Sequence, residues 1–465
     1  MRVALLNDSF PPIIDGVANV VLNYAKILTE QLDTQVIVGT PRYPKAEYTG
    51  YPYPVVAYPS VDTSKLVAGY RAGDFVHWPK IRELIDFQPD IIHTHCPAAS
   101  ALVARIVQNH TGAPVVFTYH TKFDVDIERA VGDGLWKKQF IKMMIDNISA
   151  CDEVWVVSKG AGENLKSLGF RSDYRVVDNG VDFAKGRVED ALVKEVTGRF
   201  DLPEGVPVFL FVGRMMKYKG LPIIVDALGE LSQKGVDFRM VFVGGGADAK
   251  EMQESVKAFG ISTDIVGEDG TVTHTDGAAD KSGRVIFAGA EHDRDRLRAW
   301  NTRADLFLFP SVYDTNGIVV REAAACGLAS ILIKDSCAAE GVTDGRNGFL
   351  IEENAQSMAQ MLMALAPDLE KLHTAGQYAM DEIYISWEDS VREAYRRYEE
   401  ILLAKQDGTL AEKKKRSLDY LMQGALTVSK GTNQMITMPR TVYESMCDNF
   451  RDVIEGIASL GEADE

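Results

Sequence analysis

A chain of 465 residues exceeds what one ordinary hydrophobic core fills, so two domains are expected. Its 46% hydrophobic and 25% charged residues are those of a globular protein, and a formal charge of −17 argues against nucleic acid as the main partner. No apolar run reaches bilayer-crossing length, and the five cysteines (Cys96, Cys151, Cys326, Cys337, Cys447) have neither metal-ligand spacing nor the look of a disulfide framework.

The opening "MRVALL" is too short for a signal-peptide core, so it is expected to be a first strand in a cytoplasmic protein. With "TQVIVGT", "DIIHTH", "PVVFTYH", "EVWVVS" and "YRVVDNG" it makes a series of buried strands spaced by helix-length segments. Such Val/Ile runs predict a parallel sheet covered on both faces. After the first strand comes "NDSFPPIIDGVANVV", where Asp15-Gly16 opens a helix. Gly16 lets backbone approach a ligand at a helix N-terminus; taken alone the stretch is equally a plain βα turn. His93 and His95 hint at a metal, but they are expected to point to opposite faces and no third ligand is evident. "PVVFTYHTKFD" places His120 just past a strand, where a satisfied core histidine is the plainer alternative.

"GDGLWKKQFIKMMIDNI", residues 132–148, interleaves apolar side chains, Trp136 among them, with Lys137, Lys138 and Lys142. It suits a helix lying on an anionic membrane surface, or an ordinary amphipathic helix packed on the sheet. A restart at Pro203–Pro207 leads to "VFLFVGR", "RMVFVGGG", "RVIFAGA", "DLFLFPS" and "ASILIK". The fold class is therefore α/β, with two Rossmann-like domains facing each other across a cleft and a C-terminal helical tail. The expected boundaries are 1–185, 186–378, a closing helix at 379–404 that returns to the first domain, and a tail at 405–465. Residues 262–284 are polar and rich in Gly and Asp, and are expected to form a surface loop.

In doubly wound sheets ligands sit beyond the C-terminal ends of strands. There "VGRMMKYKG" supplies Arg214 and Lys219, two cations suited to a diphosphate. "YDTNGIVVREAAACG" supplies Asp314, Asn316, Gly317 and Glu322. Gly317 begins a helix whose N–H groups and dipole favour phosphate. Glu322 lies about 7–8 Å along that helix at roughly 1.5 Å per residue, the reach from a phosphate to the ribose of the same nucleotide. Asp314, on the other side of the glycine, would face the group beyond the distal phosphate. "DVD" at 124–126 and "DRD" at 293–295 mimic metal motifs, but among 67 acidic residues such matches arise by chance. No metal is expected.

Taken together, "FVGRMMKYKG" and "FPSVYDTNGIVVREAAACG" resemble the donor site of the retaining glycosyltransferases of family 4, of GT-B fold. The likeness covers about residues 1–400, including "VVDNGVD" and "ISWEDSVREAYRRYEEIL". It implies that Arg214 and Lys219 bind the donor diphosphate and Glu322 the ribose. Backbone at Gly317, Ile318 and Val319 would line the phosphates, Asp314 would contact the transferred sugar, and His120 would sit beside it. The family usually has Glu where Asp314 stands, which leaves a share of that role to Asn316. The stretches around His95 and His120 are similar to those of diacylglycerol glucosyltransferases. The resemblance thus implies hexose transfer from a nucleotide-diphosphate sugar, with UDP-glucose first in line, to a hydroxyl acceptor. A membrane glycerolipid leads, with a small molecule or polysaccharide precursor as alternatives. No cofactor is implied, and the enzyme is expected at the inner face of the cell membrane. A nucleotide-sugar epimerase and a non-catalytic nucleotide-sugar-binding protein of the same fold are the competing classes.

Overall fold

The computed structural model describes residues 1–411 apart from residue 14 and the segments 64–70, 124–126 and 128–133, and it leaves aside the side chains of Leu135 and Trp136. The "DVD" stretch and most of the expected helical tail lie outside the described residues. The chain divides into two compact units. Unit 1 holds Met1–Val157, Ala161–Val177 and the chain from Val391; unit 2 holds Ser158–Gly160 and Asp178–Ser390.

The strands of unit 1 are β1 (Arg2–Leu6), β2 (Gln35–Pro41), β3 (Val55–Tyr58), β4 (Ser60–Asp62), β5 (Arg71–Gly73), β6 (Ile91–Thr94), β7 (Val115–Tyr119), β8 (Glu153–Val156) and β9 (Arg175–Val176). Apart from the β4–β5 ribbon they form one parallel sheet in the order β3-β2-β1-β6-β7-β8-β9. Val3 to Leu6 pair in step with Ile91 to Thr94, and Ile92 to Thr94 with Val115 to Phe117. The residues that follow β1, β6 and β7 therefore emerge at one end of the sheet. One face packs Ala4, Leu6, Ile92 and Phe117 against Leu84, Val103, Val107, Ile145 and Ile148 of three helices. Sequence reading missed β3. It also took β9 for a buried strand, whereas Arg175 and Val176 are exposed at the sheet edge.

Unit 2 contains β10 (Val208–Val212), β11 (Arg239–Val243), β12 (Ser262–Val266), β13 (Val272–Thr275), β14 (Arg284–Gly289), β15 (Leu306–Phe309), β16 (Ser330–Ile333) and β17 (Phe349–Ile351). Their order is β13-β12-β14-β11-β10-β15-β16-β17, parallel except at β12–β13. Phe211 lies between Phe242 and Phe309, with ring centroids 5.9 and 6.3 Å away. Such rings favour the tilted and offset arrangements seen.

The expected surface loop at 262–284 is corrected: its first part is the β12–β13 hairpin, which extends the sheet at its edge. Its polar composition concealed this, because the strand buries a carboxylate. Asp264 is 1% exposed and accepts bonds from Arg284 Nη1 (2.5 Å) and His274 Nδ1 (2.9 Å). A buried charge is tolerated when paired and hydrogen-bonded in this way.

Candidate functional site

In unit 2, β10 and β15 are parallel neighbours, so the loops beyond them meet. Lys219 Nζ donates to Asp314 Oδ1 at 2.6 Å, and Ser311 Oγ donates to Asp314 Oδ2 at 2.6 Å. Both carboxylate oxygens are thus engaged, and the ion pair is mostly buried. Lys219 also lies 5.5 Å from the Phe309 ring, a cation–π distance. The close approach depends on Gly220. It has φ +78°, and a Cβ there would fall 2.0 Å from the Pro310 carbonyl oxygen. Arg214 is exposed, and its guanidinium has no ion-pair partner among the described residues.

Gly317 caps the helix Ile318–Ala325 from a left-handed conformation (φ 61°, ψ 44°). Its missing Cβ would stand 3.0 Å from Ala338, so a side chain is disfavoured by both backbone and space. The Gly317 carbonyl accepts from Val320 and Arg321, which leaves the N–H groups of Ile318 and Val319 outside the helix's own ladder. Asn316, just before, is buried. Glu322 is buried one turn on, and its Oε1 accepts from Arg294 Nη2 at 2.6 Å. Burial pushes the Glu322 carboxyl up, and Arg294 pulls it back towards the charged form. Arg294 itself faces Asp182 at 3.7 Å and the Phe183 ring at 4.5 Å.

Unit 2 therefore brings together Lys219 with Asp314, and seats Gly317 and Glu322 on one short helix. Sequence reading missed Ser311, Gly220 and Arg294. Arg294 lay in the "DRD" stretch weighed only as a metal mimic. There Asp293 caps a helix instead, accepting from the N–H groups of Asp295 and Arg296.

In unit 1 the helix Gly16–Gln31 starts at Asp15, whose Oδ1 accepts from Ala18 N at 2.6 Å and Ser9 Oγ at 3.2 Å. A Cβ on Gly16 would meet no atom within 4 Å, so packing does not require glycine there. His120 follows β7, buried, with Nε2 at 2.9 Å from His95 Nδ1. Burial lowers its pKa to about 3, which keeps the ring neutral. The expected divergence of His93 and His95 is corrected: their ring centroids lie 4.0 Å apart. Two residues is a full strand period, so such side chains share a face. Among the described residues no group of His, Cys, Asp and Glu is arranged to hold a metal.

Lys137, Lys138 and Lys142 lie on the helix Leu135–Ile148. Lys138, Lys142 and Met143 are exposed, while Ile145 and Ile148 are buried in the core. Asn147 anchors the helix by accepting from Arg105 and donating to the Pro97 carbonyl. No helix among the described residues is long and apolar enough to cross a membrane.

Residues 14–185 match the Glycosyltransferase Family 4 domain and residues 194–381 the Glycosyl transferases group 1 domain, together more than half of the chain. Over 97% of its length the chain is 21% identical to the alpha-monoglucosyldiacylglycerol synthase of Streptococcus pneumoniae, and it covers 99% of that protein. The enzyme of the same name from Acholeplasma laidlawii is 22% identical over 78% of this chain and 87% of its own. Anabaena Alr3699/HepE, solved in complex with UDP, superposes with a TM-score of 0.65 over 86% of this chain and all of that one, at 17% identity. This likeness concerns the fold, which is GT-B. Two Rossmann-like units of this kind, each matched by its own transferase domain, make the protein a glycosyltransferase, and the chain belongs to glycosyltransferase family 4.

Proposed function

We propose that the protein transfers a hexose, glucose first in line, from a UDP-sugar to a hydroxyl of a membrane diacylglycerol with retention of the anomeric configuration. The observation that carries the donor half is the meeting of Lys219 and Asp314 beside the helix of Gly317 and Glu322. An arriving diphosphate takes Lys219 from Asp314, joins Arg214, and lies against the N–H groups of Ile318 and Val319. Glu322 exchanges Arg294 for two ribose hydroxyls. Asp314, released, turns to the sugar with Asn316 beside it. The C1–O bond to the diphosphate breaks as the acceptor oxygen bonds C1 on the same face, and the acceptor proton passes to the leaving phosphate oxygen. Cations and helix dipole stabilise the charge that develops there, so the reading requires no metal. The acceptor half rests on the diacylglycerol-glycosylating relatives that match nearly the whole chain. In this reading Trp136, Lys137, Lys138 and Lys142 meet anionic lipid at the cytoplasmic membrane surface.

The test is product analysis with UDP-glucose and diacylglycerol in anionic vesicles, beside UDP titrations of variants. Glucosyldiacylglycerol should form in EDTA. Glu322→Ala should weaken UDP binding by roughly tenfold, the loss of a charge-assisted pair of bonds. Asp314→Ala should bind UDP at least as tightly as the parent, because Lys219 is released, yet lose transfer. Unchanged UDP affinity in Glu322→Ala would refute the ribose assignment, and transfer only to soluble acceptors would refute the lipid.

A further inference from the structure

The contact between His95 and His120 contains more information than a packed pair of rings. His95 follows β6 and His120 follows β7, two strands in register. Their rings stack with centroids 5.2 Å apart, and Nδ1 of His95 is 2.9 Å from Nε2 of His120. Burial pushes both rings well below the usual histidine range, so both are neutral at pH 7. Two neutral imidazoles in such a contact share one proton: one ring donates and the other accepts.

The far nitrogen of His95 decides which. His95 is buried, and its Nε2 has no hydrogen-bond partner among the described residues. A proton on that atom would leave a buried N–H without an acceptor, whereas a bare lone pair there is the lesser loss. The proton of His95 therefore belongs on Nδ1, directed at His120 Nε2. His120, accepting at Nε2, must then hold its own proton on Nδ1.

The surroundings hold His95 in this orientation. His93 is tied at Nδ1 to Tyr398 Oη (2.6 Å) and at Nε2 to Thr118 Oγ1 (2.7 Å), and its ring lies against that of His95. Tyr24 sets its ring edge-on to both at 5.6 Å. Turning His95 over would break its bond to His120 and disturb this stack.

We propose that His95 is a positioning residue that fixes His120 as the neutral Nδ1–H tautomer. His120 then meets the substrate as an N–H donor to a sugar or phosphate oxygen. It does not serve as a base for the acceptor hydroxyl, because Nε2 is occupied and Nδ1 already holds a proton. The inference rests on the reading that His120 takes part in transfer, and its test separates the two.

The experiment is NMR of the full chain with 15N-labelled histidine, together with steady-state kinetics. In the parent, His120 should show a protonated Nδ1 and an unprotonated Nε2 between about pH 6 and 8. His95→Asn, whose amide N–H can replace the donor, should keep that pattern and most of the activity. His95→Phe should release the Nε2–H form and lower kcat by roughly tenfold or more, with KM for the nucleotide sugar changed less than about twofold. An Nε2–H form of His120 in the parent, or an unchanged tautomer in His95→Phe, would overturn the proposal. Should His95→Phe fail to fold, the parent spectrum still decides. Full activity in His120→Gln would instead remove the role of His120 in transfer and leave the tautomer assignment standing.

Discussion

Asp8 shows how much a single buried carboxyl can contribute to pH dependence. It follows β1 and is 4% exposed; Oδ1 accepts from Ser100 N at 2.9 Å, and Oδ2 has no partner among the described residues. Burial raises its pKa to about 6, against the bonds from Cys96 and Ser100 that favour the charged form. The facing Cys96, Tyr43 and Tyr58 are themselves pushed up and stay neutral over this range. With a folded pKa above the unfolded 3.8, the native state binds the proton more tightly. Stability therefore falls as pH rises from about 4 to about 6, and the cost above that window is about 3 kcal/mol. Asp8→Asn keeps the acceptor for Ser100 and removes the charge. It should melt above the parent at pH 7.5, with the gap shrinking towards pH 4. An equal gap at both pH values would show that titration is not the cause. Single residues of this kind divide sharply in how far sequence reveals them. Lys219, Asp314 and Glu322 were legible because each follows a recognisable strand or glycine. Arg294 on Glu322, and His95 on His120, were not, since their pairings cross 28 and 25 positions and depend on strand register.

At the scale of elements, apolar runs ending in polar turns located β1, β2, β6, β7, β8, β10, β11, β14, β15 and β16, because strands buried on both faces have no polar alternation to obscure them. The strands that escaped were short or held buried charge: β3, β17 and the β12–β13 hairpin around Asp264. How two loops approach each other is also hidden from a linear reading, and Gly220 is the case in point. Gly220→Ala adds a methyl 2.0 Å from the Pro310 carbonyl at a positive φ, so the loop of Lys219 and that of Asp314 must part. The expected loss is about 2–4 kcal/mol in urea unfolding of unit 2, with weaker UDP binding as Lys219 moves. Gly16→Ala is the contrast, since its methyl enters open space, and its stability should stay within about 0.5–1 kcal/mol of the parent. Equal stability for the two variants would mean that the loops adjust freely, and the close approach would then have no energetic weight.

At the scale of the whole molecule, units and sequence order part company. The two matched transferase domains end at residue 381, yet unit 1 also needs the chain from Val391. In the helix Trp387–Gln406, Val391, Ala394, Tyr398 and Ile401 form one buried stripe at helical spacing. Tyr398 stacks on Trp155 of β8 at 5.5 Å and bonds His93 of β6. Arg397 Nε adds a bond to Glu153 at 2.7 Å. A chain ending at Ser390 would uncover Trp155 and leave His93 Nδ1 and Glu153 without these partners. Each large side chain withdrawn from such a core costs about 2–5 kcal/mol, and a domain's whole stability is only about 5–15 kcal/mol. Unit 1 should therefore lose cooperative folding in that truncation, although every residue of its contiguous sequence domain is present. Hydrogen exchange reads this directly. Amides of β6 and β8 should lose protection in the chain ending at 390 and retain it in the chain ending at 406. Strands β10 and β15 of unit 2 serve as the internal reference. Equal protection of β6 and β8 in both truncations would mean that the returning helix is an accessory to unit 1, with no part in its core.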